Sequence, residues 1–247
     1  MKKKSTKVRL DKLLVDRGMT STRERAKALI MSGAVLVENQ TVDKAGASVV
    51  PDAVITIKVD DNPYVSRGGL KLKGALSRFS ISAKGCVAFD VGVSTGGFTD
   101  CLLQEGARKV YAVDVGYGQL AWKLRRDERV ILFERTNIRY FSGEGIIDDI
   151  DVATVDVSFI SLKLVLPVVV ALVKNGGTIL ALIKPQFEAG KEDVGKKGVV
   201  RDPAVHTKVI DRIIALCESL KLEVQGICES PITGPAGNKE FFVYAIK

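Results

Sequence analysis

The stretch from Phe89 to Phe98, FDVGVSTGGF, constrains the fold more than any other part of the chain. Apolar residues 87–89 are typical of a short buried strand, three glycines follow within seven residues of Asp90, and residues 98–103 return to helical spacing. The pattern predicts a strand, a tight turn and a helix. Such a turn lets the backbone approach a ligand closely, with the helix amides facing the same cleft. The sequence therefore predicts a small-molecule site here.

The charge of this turn indicates which cofactor it binds. Ser94 replaces the second glycine of the dinucleotide pattern G-x-G-x-x-G, and Asp90 stands directly before the turn. A carboxylate there repels a pyrophosphate but suits the cationic amino-acid end of S-adenosylmethionine. Asp114 ends the next apolar run and could accept the hydroxyls of an adenosine ribose. We favour S-adenosylmethionine over NAD, with a plain turn and a helix cap as the remaining alternative.

Composition limits the class of protein and its partners. The 247 residues are 46% hydrophobic, enough for a sizeable core, and 37 basic against 29 acidic residues give a net charge of +8. That charge favours an anionic partner. The apolar run at 162–173 is too short to cross a bilayer, and Lys2, Lys3 and Lys4 are not followed by an apolar stretch, so we expect a cytoplasmic protein without membrane association. The four cysteines lack a C-x-x-C pair, and we expect no metal.

Residues 1–27 carry ten lysines or arginines against three acids. Leu10, Leu13 and Leu14 share a helical face, Gly18 is a plausible stop, and residues 21–24, STRE, have a capping-box pattern that predicts a second helix. Two basic helices followed by short strands resemble the S4 RNA-binding domain over residues 8–60. The alternative is a solvated charged face. We predict RNA contacts, mainly to phosphates, from five residues: Arg9, Lys12, Arg23, Lys27 and Arg67.

From residue 87 onward, strand-like runs alternate with helical patterns, which predicts a mostly parallel sheet covered by helices on both faces. We predict strands near 87–90, 109–113, 130–134, 151–156, 177–183, 222–229 and 240–246, and helices near 97–104, 118–126, 161–174 and 203–220. The predicted organisation is an S4-like domain at 1–60, a linker at 61–66 and an α/β domain at 67–247. Ligands of such sheets bind at the carboxyl ends of the strands. Five polar residues are expected there: Asp90, Asp114, Asn137, Asp156 and Lys184.

Several polar residues of the α/β domain form a candidate catalytic set. Asp156 follows the fourth strand, where amino-group methyltransferases of nucleic acids carry [Asn/Asp]-Pro-Pro-[Tyr/Phe], but the two prolines are missing. This argues against methylation of a base nitrogen. Lys184 ends a buried strand, Glu240 begins the last strand, and Lys71 lies in a helix before the glycine-rich turn. The candidate set is Lys71, Asp156, Lys184 and Glu240.

At this point the chain resembles a known family. Five segments are similar to the TlyA (hemolysin A) family of ribosomal RNA methyltransferases: 66–72, SRGGLKL; 90–100, DVGVSTGGFTD; 155–162, VDVSFISL; 184–188, KPQFE; and 198–202, GVVRD. The resemblance implies a Rossmann-like class I methyltransferase domain of the RrmJ/FtsJ type that uses S-adenosylmethionine. It also implies methylation of a ribose 2′-hydroxyl, of cytidine in 16S rRNA, 23S rRNA or both, by a Lys-Asp-Lys-Glu tetrad on the four candidate residues.

The cofactor contacts predicted by these two lines of argument are Asp90, Gly92, Ser94, Gly96, Gly97, Asp114 and Asn137. For the acceptor, a 2′-hydroxyl must be oriented toward the methyl group and must lose its proton as it attacks. We expect Lys184 to contact it, Asp156 and Glu240 to orient the lysines, and Lys71 to position the substrate. Burial disfavours an ammonium and nearby carboxylates favour it, so the sequence leaves open whether Lys184 accepts the proton or only stabilises negative charge. Two alternatives remain, a non-catalytic RNA-binding or ribosome-assembly protein and a membrane-active hemolysin.

Overall fold

A computed structural model describes residues 7–20, 22–31, 33–57, 62–195, 198–234 and 236–247, with only the backbone of Ala28. Contacts divide the chain into two compact units, Met1–Asp61 and Asn62–Lys247. Each unit has a hydrophobic core of its own. The predicted domain boundary at 60–61 and the three N-terminal lysines, residues 2–4, lie outside the described residues.

In its described residues, the smaller unit combines two helices with five short strands. They are β1 (Val8–Arg9), α1 (Leu10–Asp16), α2 (Arg23–Met31), β2 (Val35–Val37), β3 (Gln40–Thr41), β4 (Ser48–Val49) and β5 (Ile55–Ile57). Leu10, Leu14 and Ile30 are fully buried between the helices and strands, as their helical spacing predicts. The unit is α+β, and the basic residues of its helices are left on the outside.

The larger unit is built on a seven-stranded sheet. Its strands are β6 (Val87–Val91), β7 (Lys109–Val113), β8 (Val130–Phe133), β9 (Ile150–Val155), β10 (Val173–Ile183), β11 (Glu223–Glu229) and β12 (Phe241–Ile246). The order across the sheet is β11-β12-β10-β9-β6-β7-β8. The five strands from β10 to β8 are parallel, and β12 is antiparallel to both of its neighbours. The predicted α/β class and mostly parallel sheet are confirmed.

Helices cover both faces of this sheet. They are α3 (Gly68–Phe79), α4 (Gly97–Gln104), α5 (Trp122–Arg125), α6 (Leu166–Leu172), α7 (Pro185–Glu188) and α8 (Pro203–Ser219), with 3-10 turns at Ile138–Tyr140, Leu162–Leu164 and Lys191–Asp193. Leu72 of α3 and Leu102 of α4 pack on one face, whereas Leu166 of α6 and Val209 of α8 pack on the other. The sheet is therefore the buried middle layer of three.

Two predicted helices of the larger unit are shorter than their apolar patterns. The helix expected at 118–126 is confined to α5, because Gly118 takes a φ of +69° and the Ala121 amide bonds to the carbonyl of Thr95. The helix expected at 161–174 is divided into a 3-10 turn and α6, which has Pro167 in its first turn. β10 then begins at residue 173 instead of 177, with a register shift against β9 between Val173 and Thr178.

The strand order reverses between β6 and β9. From β6 the chain continues through β7 to β8 on one side, and it then crosses to β9 and β10 on the other side. The carboxyl ends of β6 and β9 therefore flank the crevice where ligands bind in open α/β sheets. A Cβ on Gly92, which follows β6, would lie 2.5 Å from the carbonyl oxygen of Asp156, which follows β9. Only glycine permits this approach.

Candidate active site

The glycine-rich loop joins β6 to α4 in a tightly held conformation. Gly92, Ser94 and Gly96 all have positive φ angles, of +88°, +50° and +97°. Ser94 thus occupies a conformation that favours glycine, and its amide donates a hydrogen bond of 2.7 Å to the Asp114 carboxylate. A Cβ on Gly96 would meet the Leu120 and Leu124 side chains at 2.6 and 2.4 Å. The conformation of the turn therefore requires glycine at residues 92 and 96, and the hydrogen bond from Ser94 joins it to Asp114 after the next strand.

A cavity of about 470 Å³ opens beside this loop, at the carboxyl ends of β6, β7 and β9. Gly92, Ser94, Asp114 and Asn137 all line it, so the structure brings four predicted cofactor contacts together. The Asp114 carboxylate also accepts a hydrogen bond of 2.7 Å from the Gly116 amide, which fixes its orientation. The apolar part of the cavity wall consists of Val115, Ile138 and Ile160. A carboxylate beside an apolar slot suits a nucleoside.

Asp90 and Gly96 differ from the predicted arrangement. Asp90 lies within β6 and is fully buried, where its carboxylate accepts hydrogen bonds from the hydroxyls of Thr99 (2.6 Å) and Thr154 (2.9 Å). Burial raises the pKa of this carboxyl to about 7, although the threonine bonds oppose the shift. Neither Asp90 nor Gly96 lines a cavity at this edge of the sheet. The contact of Asp90 with the cofactor stays a prediction, and in this structure its carboxylate is turned toward the two threonines.

All four predicted catalytic residues line a second cavity, of about 790 Å³. Two of them form a buried ion pair in which Lys71 Nζ donates to Glu240 Oε2 at 2.5 Å. The side chains are 9% and 1% exposed, respectively. Gly234 covers the carboxylate, since a Cβ there would lie 2.5 Å from Glu240 Oε1. The pair joins α3 to the first residue before β12.

The other two catalytic candidates form a second pair on the same cavity wall. Lys184 Nζ forms an ion pair with Asp156 Oδ1 at 2.5 Å, and it donates a hydrogen bond of 2.8 Å to Ser158 Oγ. Both charged side chains are less than one fifth exposed. Lys184 is therefore held from two directions at the end of β10. The ammonium has three donors, so one is left for a ligand in the cavity.

The two cavities share part of their walls. Five residues line both of them: Gly92, Ser94, Asp156, Ser158 and Phe159. A group bound in the smaller cavity therefore lies next to the space that the two ion pairs surround. Gly97, also predicted as a cofactor contact, lines only the larger cavity.

Three further residues of the site, Ser158, Phe159 and Asn238, are not among the residues predicted from the sequence. Phe159 is 90% exposed at the cavity mouth, with a φ of +62° and its ring centroid 4.9 Å from that of Phe187. Asn238 is buried and binds the amide of Val200 and the carbonyl of Gly198, which joins two loops at the rim. The signal in the sequence is their proximity to predicted site residues, since Ser158 and Phe159 follow Asp156 and Asn238 precedes Glu240.

The predicted RNA-binding residues are all exposed. Arg67 lies on the rim of the larger cavity, where its guanidinium donates to the Thr233 carbonyl at 3.0 Å. Arg9, Lys12, Arg23 and Lys27 lie on the smaller unit. Within the described ranges, no group of three histidine, cysteine or acidic residues could hold a metal ion, and no helix is long and apolar enough to cross a membrane.

Comparisons with known proteins agree with this architecture. The model of the FtsJ-like methyltransferase family matches residues 64–247, and that of the S4 domain matches residues 8–55. The chain is 52% identical to "Putative rRNA methyltransferase YqxC" of Bacillus subtilis, over 97% of this chain and 86% of that protein. It is 42% identical to the 16S/23S rRNA (cytidine-2′-O)-methyltransferase TlyA of Mycobacterium tuberculosis, over 96% and 89% of the two chains.

A solved structure adds the three-dimensional comparison. "Putative hemolysin from Streptococcus thermophilus" superposes with a TM-score of 0.77 and 43% sequence identity, covering 98% of this chain and 89% of that one. The similarity therefore includes both units, the glycine-rich loop and the segments that carry the two ion pairs. The chain belongs to the FtsJ-like methyltransferase family, in the S4-containing branch with the TlyA ribosomal RNA methyltransferases.

Proposed function

We propose that this protein transfers a methyl group from S-adenosylmethionine to the 2′-hydroxyl of a cytidine ribose in 16S or 23S ribosomal RNA. The observation that carries the proposal is the single cavity lined by Lys71, Asp156, Lys184 and Glu240, with a nucleoside-sized cavity sharing its wall. The identity of the nucleotide and of the RNA is inferred from the TlyA relative, whose activity is cytidine-2′-O-methylation of 16S and 23S rRNA. Such a function belongs to the cytoplasm, where ribosomes are made.

The smaller cavity fits the cofactor. Asp114 would accept the two ribose hydroxyls, since its carboxylate faces the cavity at the end of β7. Ile138 and Ile160 would hold the adenine between apolar surfaces, and Gly92 would let the backbone approach the amino-acid part. When bound there, S-adenosylmethionine supplies an electrophilic methyl group on a positively charged sulfur. Because residues 92, 94, 156, 158 and 159 line both cavities, that methyl group can face the acceptor.

The two ion pairs would orient the acceptor ribose. Lys184 would hydrogen-bond the 2′-oxygen through its remaining donor, while Asp156 and Ser158 keep its ammonium in place. A fixed cation next to this oxygen would stabilise the negative charge that develops as the hydroxyl loses its proton to water in the cavity. The oxygen would then take the methyl group, and the methyl–sulfur bond would break to leave neutral S-adenosylhomocysteine. Lys71, held by Glu240, would bind another oxygen of the same nucleotide. Holding the oxygen in line with the methyl group supplies the positioning part of the rate enhancement.

The surface around the larger cavity suits RNA. Arg67 provides a cation for a phosphate at the rim, and Phe159 presents an exposed ring on which a nucleobase can stack. On the smaller unit, Lys12 of α1 and Arg23 and Lys27 of α2 would contact phosphates of the same RNA.

The test is methyl transfer from labelled S-adenosylmethionine to purified 30S and 50S subunits, followed by alkaline digestion of the RNA. A methylated ribose blocks cleavage at its own phosphodiester bond, so we expect label in alkali-resistant dinucleotides. Label in mononucleotides would identify a methylated base and would contradict the proposal.

Lys184→Ala and Lys174→Ala make a matched pair for this assay, because the two lysines lie at opposite ends of β10. We expect Lys184→Ala to lower transfer at least 100-fold with RNA binding retained, since it removes the cation next to the reacting oxygen. Lys174→Ala, which breaks an exposed pair with Asp151, should leave transfer within twofold. Equal activity of the two variants would refute the assigned role of Lys184.

A further inference from the structure

Asp11 is an acidic residue in the middle of the predicted RNA-binding surface, yet its side chain is 0% exposed. Arg9 donates two hydrogen bonds to it, from Nε to Oδ1 at 3.0 Å and from Nη2 to Oδ2 at 3.1 Å. Arg23 donates a third, from Nη2 to Oδ2 at 2.8 Å. One carboxylate therefore joins the arginine before α1 to the first residue of α2. The hydrogen bonds from Arg9 hold the pKa of Asp11 well below its usual range, so the carboxylate is charged at all physiological pH values.

These hydrogen bonds leave about half of each arginine side chain exposed to solvent, 55% for Arg9 and 49% for Arg23. A guanidinium has five N–H donors in one plane, of which Arg9 uses two and Arg23 uses one for Asp11. The exposed part of each guanidinium can meet an anion. Two hydrogen bonds fix the plane of the Arg9 guanidinium, and one holds the Arg23 guanidinium to the same carboxylate. The spacing of the two groups is therefore restricted, and they lose less side-chain entropy when they bind.

We infer that Asp11 is a positioning residue for RNA, which holds Arg9 and Arg23 as one rigid pair of phosphate-binding groups. The inference rests on the proposed RNA-binding function of this unit. A phosphodiester accepts two parallel hydrogen bonds from a guanidinium edge, so a fixed pair can bind neighbouring phosphates of a folded RNA strand. The affinity then depends on a negatively charged residue on a positively charged surface.

This role predicts an effect opposite in sign to simple electrostatics. Removal of an acid from a basic surface normally strengthens RNA binding, because the attraction to phosphates increases. If Asp11 fixes the arginines, Asp11→Asn must weaken binding, although the variant carries one more net positive charge. Asp16→Asn is the matched control, since Asp16 is an exposed acid of the same helix α1.

The experiment is filter binding of the full chain to purified 30S and 50S subunits between 50 and 200 mM salt, with thermal unfolding recorded for each variant. We expect Asp11→Asn to weaken binding about tenfold and to reduce the salt dependence by one to two phosphate contacts. Asp16→Asn should bind within twofold of the unchanged protein, or more tightly. In the Arg9→Ala/Arg23→Ala background, Asp11→Asn should have less than a twofold effect, because it acts only through the arginines.

Arg9→Lys provides a second test if Asp11→Asn fails to fold. Lysine keeps the charge but cannot donate two parallel hydrogen bonds to Asp11, so we expect severalfold weaker binding. Lys44→Arg, at an exposed residue of the same unit outside the predicted RNA-binding set, should have no effect. Unchanged or tighter binding by Asp11→Asn, or by Arg9→Lys, would overturn the inference. If Arg9→Ala/Arg23→Ala itself binds normally, the proposed RNA-binding face is wrong, which is a different failure.

Discussion

The buried ion pair of Lys71 and Glu240 gives a sharp prediction about stability. The Nζ–Oε2 distance is 2.5 Å and the side chains are 9% and 1% exposed, so neither charge is compensated by solvent. Glu240→Gln keeps the size of the side chain but leaves the ammonium of Lys71 buried beside a neutral amide. Breaking such a pair costs about 3–5 kcal/mol. Because glutamine retains one acceptor, we expect about 3 kcal/mol.

Removal of the second charge should restore the stability. Replacing a whole buried pair with hydrophobic groups of similar volume is close to neutral, and the glutamine amide left without a partner costs about 1 kcal/mol. Lys71→Met/Glu240→Gln should therefore lie within about 1–2 kcal/mol of the unchanged protein. Both variants should nevertheless lose methyl transfer, because the oxygen contact assigned to Lys71 depends on the pair. Stability and activity would thus be separated by one double-mutant cycle.

Calorimetry is the appropriate assay, because the two units of the chain can unfold in separate transitions. For a domain of this size, 3 kcal/mol corresponds to a decrease in Tm of about 6–12 °C. Glu229→Gln is the matched control, since it breaks the exposed pair with Lys239, whose side chains are 49% and 54% exposed. That change should lower Tm by less than about 2 °C. The reasoning is refuted if Glu240→Gln shifts Tm no more than this control, or if Lys71→Met restores nothing.

Three further predictions concern the cofactor edge and the cavity mouth. Burial raises the pKa of Asp90 to about 7, so the folded state binds more protons than the unfolded chain between pH 4 and 7, and stability falls as the pH rises through that interval. Asp90→Asn should remove this decline in stability. At pH 8 the variant should be more stable than the unchanged protein in urea unfolding, by at most on the order of 4 kcal/mol. Stability curves that run parallel with pH in the two proteins would contradict this. Asp114→Asn should weaken S-adenosylmethionine binding about tenfold in calorimetric titration and leave the binding of ribosomal subunits unchanged. An unaltered affinity for the cofactor would exclude the contact of Asp114 with the ribose. Phe159→Ala should lower kcat/KM for ribosomal subunits about tenfold without changing cofactor affinity. Phe159→Tyr should retain the kcat/KM of the unchanged protein. Equal kcat/KM values for the two variants would argue against stacking.

The sequence predicts the order and class of most elements in the larger unit, since the strand and helix periods alternate clearly from Val87 onward. It fails where a local contact overrides the period. The Ala121 amide bonds to Thr95 instead of continuing a helix, and Pro167 interrupts the apolar run that follows residue 161. Neither effect is visible in apolar spacing alone, because the first depends on the position of the glycine-rich loop in space.

The candidate site shows the same limit. Parallel strands place Asp114, Asp156 and Lys184 at one edge, so their proximity follows from the alternating pattern. The direction of the Asp90 side chain does not, because it is set by Thr99 of α4 and Thr154 of β9, residues far apart in the sequence. The pairing of the tetrad as Lys71 with Glu240 and Lys184 with Asp156 also requires the fold. Sequence reasoning identified the four residues but not their partners.

The common wall of the two cavities has a practical consequence. Gly92, Ser94, Asp156, Ser158 and Phe159 line both spaces, so the cofactor side and the acceptor side are separated by no more than these residues. A single synthetic compound, with an adenosine joined through a short linker to a second nucleoside, can therefore occupy both at once. When one half is bound, the linker would hold the other half at a high local concentration next to its cavity. The compound would therefore bind more tightly than either nucleoside alone. Compounds of this design are the natural starting point for inhibitors of this enzyme.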